Sequence, residues 1–220
     1  MTARAALVPR DGSDLIVYGA GVTSSTTATR IILARHYEAS YVNRSEGDGA
    51  GGTLTEIGRS QAHALAVRLS EEGVAAVYCS ALSRATQTAA IVAESLNAPV
   101  NVQPALREYE LGDEPYDSGQ LAATLLGWLN GTMSGTVLSG ESGHQVARRM
   151  FTVVDEIVRE HSGRTVLVVS HGGAILATLG SIAPGRTGLP TGAADQLSEH
   201  DLPGGTSFNI THRHDGWLLS

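Results

Sequence analysis

The run Thr29-Arg30-Ile31-Ile32-Leu33-Ala34-Arg35 limits this chain more than any other stretch. It is short, rich in isoleucine and without helix-capping residues, so it reads as a strand buried on both faces, and such strands belong to parallel sheets covered by helices. The run stops at Arg35-His36. Ligands of open α/β sheets bind beyond the carboxyl ends of the strands, so this pair is placed for chemistry. A neutral imidazole can attack phosphorus, and an arginine beside it can neutralise the phosphoryl oxygens with a planar fork of donors. By itself the pair is also what a strand end with a solvated arginine and a packed histidine would look like.

Downstream the pattern alternates. A glycine-rich loop, 47–52, leads to a helix expected to start on a capping box of Thr53 and Glu56, to bury Ile57, Leu65, Ala66 and Leu69, and to stop at Gly73. Residues 75–80 read as a strand in which Cys79 is a small buried apolar side chain. Ser83 to Leu96 reads as a helix closed by Asn97, then come a short strand at 100–102 and a helix over 120–129. Ser142 N-caps a long amphipathic helix with Val146, Met150, Val153, Val154, Ile157 and Val158 on one face and Gly163 as its stop. Thr165–Ser170 is the most β-like run, and His171-Gly172-Gly173 follows it before another helix. Two strands, 206–212 and 216–219, are joined through the hairpin signal Asp215-Gly216. This order predicts an α/β fold, a three-layer α/β/α sandwich with a mainly parallel central sheet. Residues 29–220 are expected to form one domain behind an N-terminal extension, 1–28, whose apolar piece Leu15-Ile16-Val17-Tyr18 is a candidate extra edge strand.

Composition removes several chemistries. All 15 basic residues are arginine, and the absence of lysine excludes a Walker-type phosphate loop, a Schiff-base enzyme and a pyridoxal-phosphate enzyme. The single cysteine excludes an internal disulfide and a thiolate zinc cluster. A net charge of -7 without a basic tract argues against nucleic acid as a partner. No apolar run is long enough to span a bilayer and no leader pattern is visible, so the expectation is a cytoplasmic protein with no membrane partner. Any phosphate site must be built from arginine, histidine and backbone amides.

Two strands end in histidine, His36 and His171, and in a parallel sheet both open on one edge although they lie 135 positions apart. The strand ending at Ser80 leads into Arg84 at a helix start, where amides favour an anion, and Glu108 follows a fourth short strand. The segments Arg35-His36, Leu54-Thr55-Glu56-Ile57-Gly58-Arg59-Ser60-Gln61-Ala62, Ser80-Ala81-Leu82-Ser83-Arg84-Ala85-Thr86-Gln87-Thr88-Ala89, Leu106-Arg107-Glu108, Gly140-Glu141-Ser142 and Ser170-His171-Gly172-Gly173 together resemble the histidine phosphatase superfamily, the phosphoglycerate mutase-like proteins. The resemblance covers nearly everything after residue 28.

That resemblance implies the phosphoglycerate mutase-like fold and a phosphohistidine formed at His36. It makes Arg35, Arg84 and His171 the holders of the phosphoryl oxygens, with Ser40, Asn43 and Gly172 as further phosphate contacts, and Glu108 the acid for the leaving oxygen and the base for water. No metal and no cofactor are expected, since the arginines supply the positive charge. Glu110 is the rival for the acid role. Arg107, Arg148 and Arg149 read as solvated surface charges, and His212-Arg213-His214 as exposed residues near a hairpin rather than metal ligands.

The chain departs from the pattern of the family it resembles at Tyr37, where that family has glycine after its nucleophilic histidine, and the Ser40–Asn43 spacing is displaced by one position. Tyr37 is expected to turn into the cleft, and Trp128, in the segment 115–140, to wall the leaving-group side together with the 184–205 loop. The leading reading is a metal-independent phosphatase of a small phosphomonoester, because only 62 residues separate Glu108 from His171 and mutases of the family insert a long shielding segment there. The alternatives are a cofactor-dependent phosphoglycerate mutase-like phosphotransferase and a catalytically weak module that binds phospho-ligands.

Overall fold

The computed structural model describes residues 28–41, 52–115, 117–185, 202, 204–213 and 216–219. The elements are β1 (Thr29–Arg35), β2 (Ala39–Ser40), β3 (Thr53–Leu54), α1 (Glu56–Leu69), β4 (Val74–Cys79), α2 (Ser83–Leu96), β5 (Val100–Val102), α3 (Ser118–Leu129), α4 (Gly143–Glu160), β6 (Thr165–Ser170), α5 (Gly172–Ile182), β7 (Ser207–Arg213) and β8 (Gly216–Leu219). The main sheet has six strands in the order β5-β4-β6-β1-β7-β8. Its first four strands run parallel, and β7 and β8 are antiparallel additions on the far side of β1.

The central strands bury both faces because both faces carry helices. In β1, Ile31 and Leu33 enter one core with α3, α4 and α5, while Ile32 and Ala34 enter a second core with α1 and α2. β6 divides in the same way, Val166 and Val168 against Leu167 and Val169. This period of two produces three layers from strands that look uniformly apolar in sequence. Among the described residues no helix is long and apolar enough to cross a membrane.

Local signals place most ends. Asn97 closes α2 in the left-handed conformation, with φ 51°, and Ser142 and Gln145 form a reciprocal capping box on α4. Three expectations need correction. The cap of α1 is Thr55, whose hydroxyl accepts from Gly58 N, because Thr53 is still extended and paired with Ser40 in the β2–β3 ribbon. Ile57, expected to be buried, is 59 % exposed on the first turn of α1, and Gly58 and Ala62 take the buried positions instead. α3 starts at Ser118 on an Asp117 cap, earlier than the apolar pattern indicated. The 15–18 piece and Asp215 lie outside the described residues.

Candidate active site

Strand register alone puts three side chains next to one another. Arg35 pairs with Ser170 and Cys79 with Val169, so His36, His171 and Ser80 are each the first residue beyond adjacent strands. The ladder continues past the strand ends, with His36 N donating to Ser170 O (3.0 Å) and Ser80 N to Val169 O (3.1 Å). The result is a pair of buried imidazoles with centroids 5.1 Å apart and the Ser80 hydroxyl 2.8 Å from His171 Nε2.

The protonation of His36 follows from its partners. Nδ1 lies 2.8 Å from the carbonyl of Tyr37, which can only accept, so Nδ1 carries the hydrogen. Arg84 Nε donates to Nε2 at 3.0 Å, so Nε2 holds a lone pair. His36 is therefore neutral, with the lone pair of Nε2 turned toward the guanidinium. Burial, then the charges of Arg35 and Arg84, hold its pKa well below the ordinary histidine value. His171 is held low in the same direction by burial first and by the neighbouring His36, Arg84 and Arg35. Among the described residues its buried Nδ1 has no hydrogen-bond partner.

Arg84 comes from the first turn of α2 and is fully buried. Four residues on, Thr88 accepts Tyr37 N (3.3 Å) and donates to Arg84 O (2.8 Å), which ties the chain after His36 to the helix that carries the arginine. Glu108 reaches the site from the loop after β5. Its carboxylate accepts from the amides of Tyr109 (3.1 Å), Gly173 (3.1 Å) and Ala174 (2.8 Å), so it sits on the amino end of α5. Amides and dipole both favour a negative group there.

His36, Arg84, His171 and Glu108 are thus gathered at one sheet edge, with Arg35 adjoining His36 in the chain and Gly172 opening α5. Glu110, the rival acid, is bonded to Arg107 on the exposed side of the loop. Ser40 lies exposed in the β2–β3 ribbon, and Asn43 falls outside the described residues. Two pocket residues are corrected. Trp128 is fully buried, its Nε1 bonded to Gly135 O and its ring edge-on to Tyr109, so it is core and not a wall. Tyr37 does not turn into the cleft, because its ring enters the core shared with α1 and α2 and Arg68 donates to its hydroxyl at 3.0 Å.

Sequence reading also missed residues. Ser80, expected as the last residue of a strand over 75–80 and given no role, is the first position beyond β4, where its hydroxyl meets His171. Arg149, expected on the surface, has a side chain only 13 % exposed and is bonded to the loop that carries Glu108. Among the described residues no group of three His, Cys, Asp or Glu could hold a metal ion.

Residues 31–202 match the histidine phosphatase superfamily (branch 1). A Yersinia pestis protein named "Probable phosphoglycerate mutase GpmB" is 32% identical over 203 residues, covering 87% of this chain and 88% of that protein. The native structure of mycobacterial glucosyl-3-phosphoglycerate phosphatase Rv2419c superposes with a TM-score of 0.66 at 27% identity, covering 88% of this chain and 97% of that one. Bacillus stearothermophilus YhfR gives a TM-score of 0.66 at 28% identity over 87% of this chain and 95% of its own.

Proposed function

The chain belongs to the histidine phosphatase superfamily, and from that premise we propose that it is a metal-independent phosphomonoesterase that works through a phosphohistidine at His36. The observation that carries the reading is the fixed tautomer of His36, hydrogen on Nδ1 and lone pair on Nε2, beside buried Arg84. An imidazole kept neutral in this way needs no deprotonation before attack.

When a phosphate monoester enters, its oxygens compete for the Arg84 donor, and Nε2 is released toward phosphorus. Arg35, Arg84 and His171 then hold charge spread over the transferring group. Ser80 already accepts Leu82 N, and its own proton directed at His171 Nε2 leaves the hydrogen of that ring on Nδ1, available to a phosphoryl oxygen. Glu108, which must carry a proton when the substrate is bound, gives it to the leaving oxygen and recovers one from the water that cleaves the phosphohistidine.

Hydrolysis is favoured over return of the phosphoryl group to substrate by the use made of the chain between Glu108 and His171. α3, α4 and β6 occupy most of it and are committed to the core. The test is incubation with p-nitrophenyl phosphate and, separately, with 3-phosphoglycerate plus bisphosphoglycerate, each with and without chelator. Release of inorganic phosphate insensitive to chelator, with acid-labile label on the protein that His36→Ala abolishes, is the expected result. Mutase turnover without phosphate release, or phosphate binding without turnover, overturns it.

A further inference from the structure

Glu108 is held at both ends, and Arg149 holds the end away from the proposed phosphate site. Arg149, in the second turn of α4, donates through Nη1 to Ala105 O (2.8 Å) and Arg107 O (2.6 Å), and through Nη2 to Glu108 O (3.0 Å). Nε and Nη2 also donate to the two oxygens of Glu141, at 3.0 and 2.9 Å. A guanidinium has five N–H donors, and these five bonds use all of them. No other residue type can do this, lysine included, since an ammonium has three donors and no fixed plane.

Glu141 completes the clamp. Burial alone would raise its pKa, but Arg149 and the Glu110 amide, which donates to Oε2 at 3.0 Å, hold it below the ordinary carboxyl value and keep it charged. Backbone bonds join the same two segments, Glu141 N to Glu110 O (3.0 Å) and Gly112 N to Val137 O (3.2 Å). The approach is so close that a Cβ on Gly112 would collide with Leu138 O and one on Gly140 with Glu110 O. The turn that permits it holds Leu138 and Ser139 at φ 48° and 64°, a conformation that costs L residues about 1–2 kcal/mol each. Such residues persist where the surrounding contacts over-determine them.

We infer that Arg149, with Glu141, is a positioning residue for the proton donor: it fixes the 105–110 loop so that the Glu108 carboxylate stays on the α5 amides, at the reach of the leaving oxygen. This rests on the phosphatase reading. The bonds of Arg149 run to the loop that carries Glu108 and to Glu141, and its charge has the smallest effect of those that bear on His171. Its loss falls on esters whose leaving oxygen needs a proton and spares those that do not.

The experiment compares Arg149→Gln, Arg149→Lys and Glu141→Gln with the parent in single-turnover phosphorylation by an alkyl phosphate and by 2,4-dinitrophenyl phosphate. Arg149→Gln should lose at least tenfold more on the alkyl ester, with inhibition by inorganic phosphate unchanged within twofold. Arg149→Lys, keeping charge but not the five donors, should fall between. In a Glu108→Gln background, Arg149→Gln should add nothing further to the difference between esters, since both changes remove one function. Equal losses on the two esters, or full additivity with Glu108→Gln, overturn the inference while the phosphatase reading stands. A parent inactive on both esters overturns that reading and this inference with it. If Arg149→Gln does not fold, Glu141→Gln is judged by the same criteria.

Discussion

Arg84 donates its Nε–H to Nε2 of His36 at 3.0 Å, so the atom proposed to attack phosphorus is already bonded to the cation proposed to receive the phosphoryl oxygens. On the proposed mechanism, binding of a phosphate at Arg84 and release of His36 Nε2 would be one event. Arg84→Ala should lower kcat/KM by about 10²–10³, as removal of one preorganised donor does. Inorganic phosphate should inhibit it more weakly than the parent. Unchanged phosphate inhibition would remove Arg84 from the anion site.

The same pair bears on acidity. Burial first, then Arg35 and Arg84, depress His36, so the acid limb of the kcat/KM profile that belongs to the nucleophile should lie below pH 6.5. In Arg84→Gln, with one positive charge removed, that limb should move up toward the ordinary histidine value. A limb at 6.5 in the parent, or a downward move in the variant, contradicts the assigned tautomer.

Stability should depend on pH in a stated direction. His36 and His171 both have folded pKa values below the unfolded one, so between those values the unfolded chain binds more protons. Their contribution is complete above about pH 6.5 and is lost as the pH falls through that window, at up to about 1.4 kcal/mol per pH unit for each ring. Chemical denaturation at pH 7.5, 6.5 and 5.5 should show it, and His171→Gln should flatten the slope.

Glu108→Gln should slow alkyl phosphates far more than dinitrophenyl phosphate in the phosphorylation step, because the amide still accepts from α5 but has no proton of suitable acidity to give. An equal loss on both would move the acid role elsewhere in the loop.

Tyr37→Phe removes the Arg68 bond and should cost about 1 kcal/mol of stability with activity retained, since the contact to His36 is made by the backbone carbonyl. Tyr37→Gly should cost about 3–5 kcal/mol by opening a cavity between α1 and α2. Its substrate profile should stay that of the parent; a widened range would place the ring in the cleft after all.

What could be read from the sequence and what could not divide along physical lines. Thr29–Arg35 and Thr165–Ser170 were legible because burial on both faces leaves an uninterrupted apolar run, and His36 and His171 because each directly follows one. Arg149 was not, because its carbonyl partners lie 41 to 44 positions away, and nothing in a charged helix face distinguishes a residue that bonds backward to a loop. The ring of Tyr37 was not, because the side it takes after β1 is decided by a segment near residue 205. Thr55 was missed in favour of Thr53 because the pairing that keeps 53 extended is set by Ser40, across a loop.

That segment near 205 has one more consequence. Gly204 packs on the Tyr37 backbone, and a Cβ on Gly205, which sits at φ 76°, would collide with Tyr37 Cε1. The tyrosine and the glycine are therefore a matched pair: with the ring at 37 in place a side chain at 205 has no room, and the left-handed φ at 205 disfavours one in any case. A change at 205, remote from His36 in sequence, would thus be felt at the residue that follows His36 in the chain.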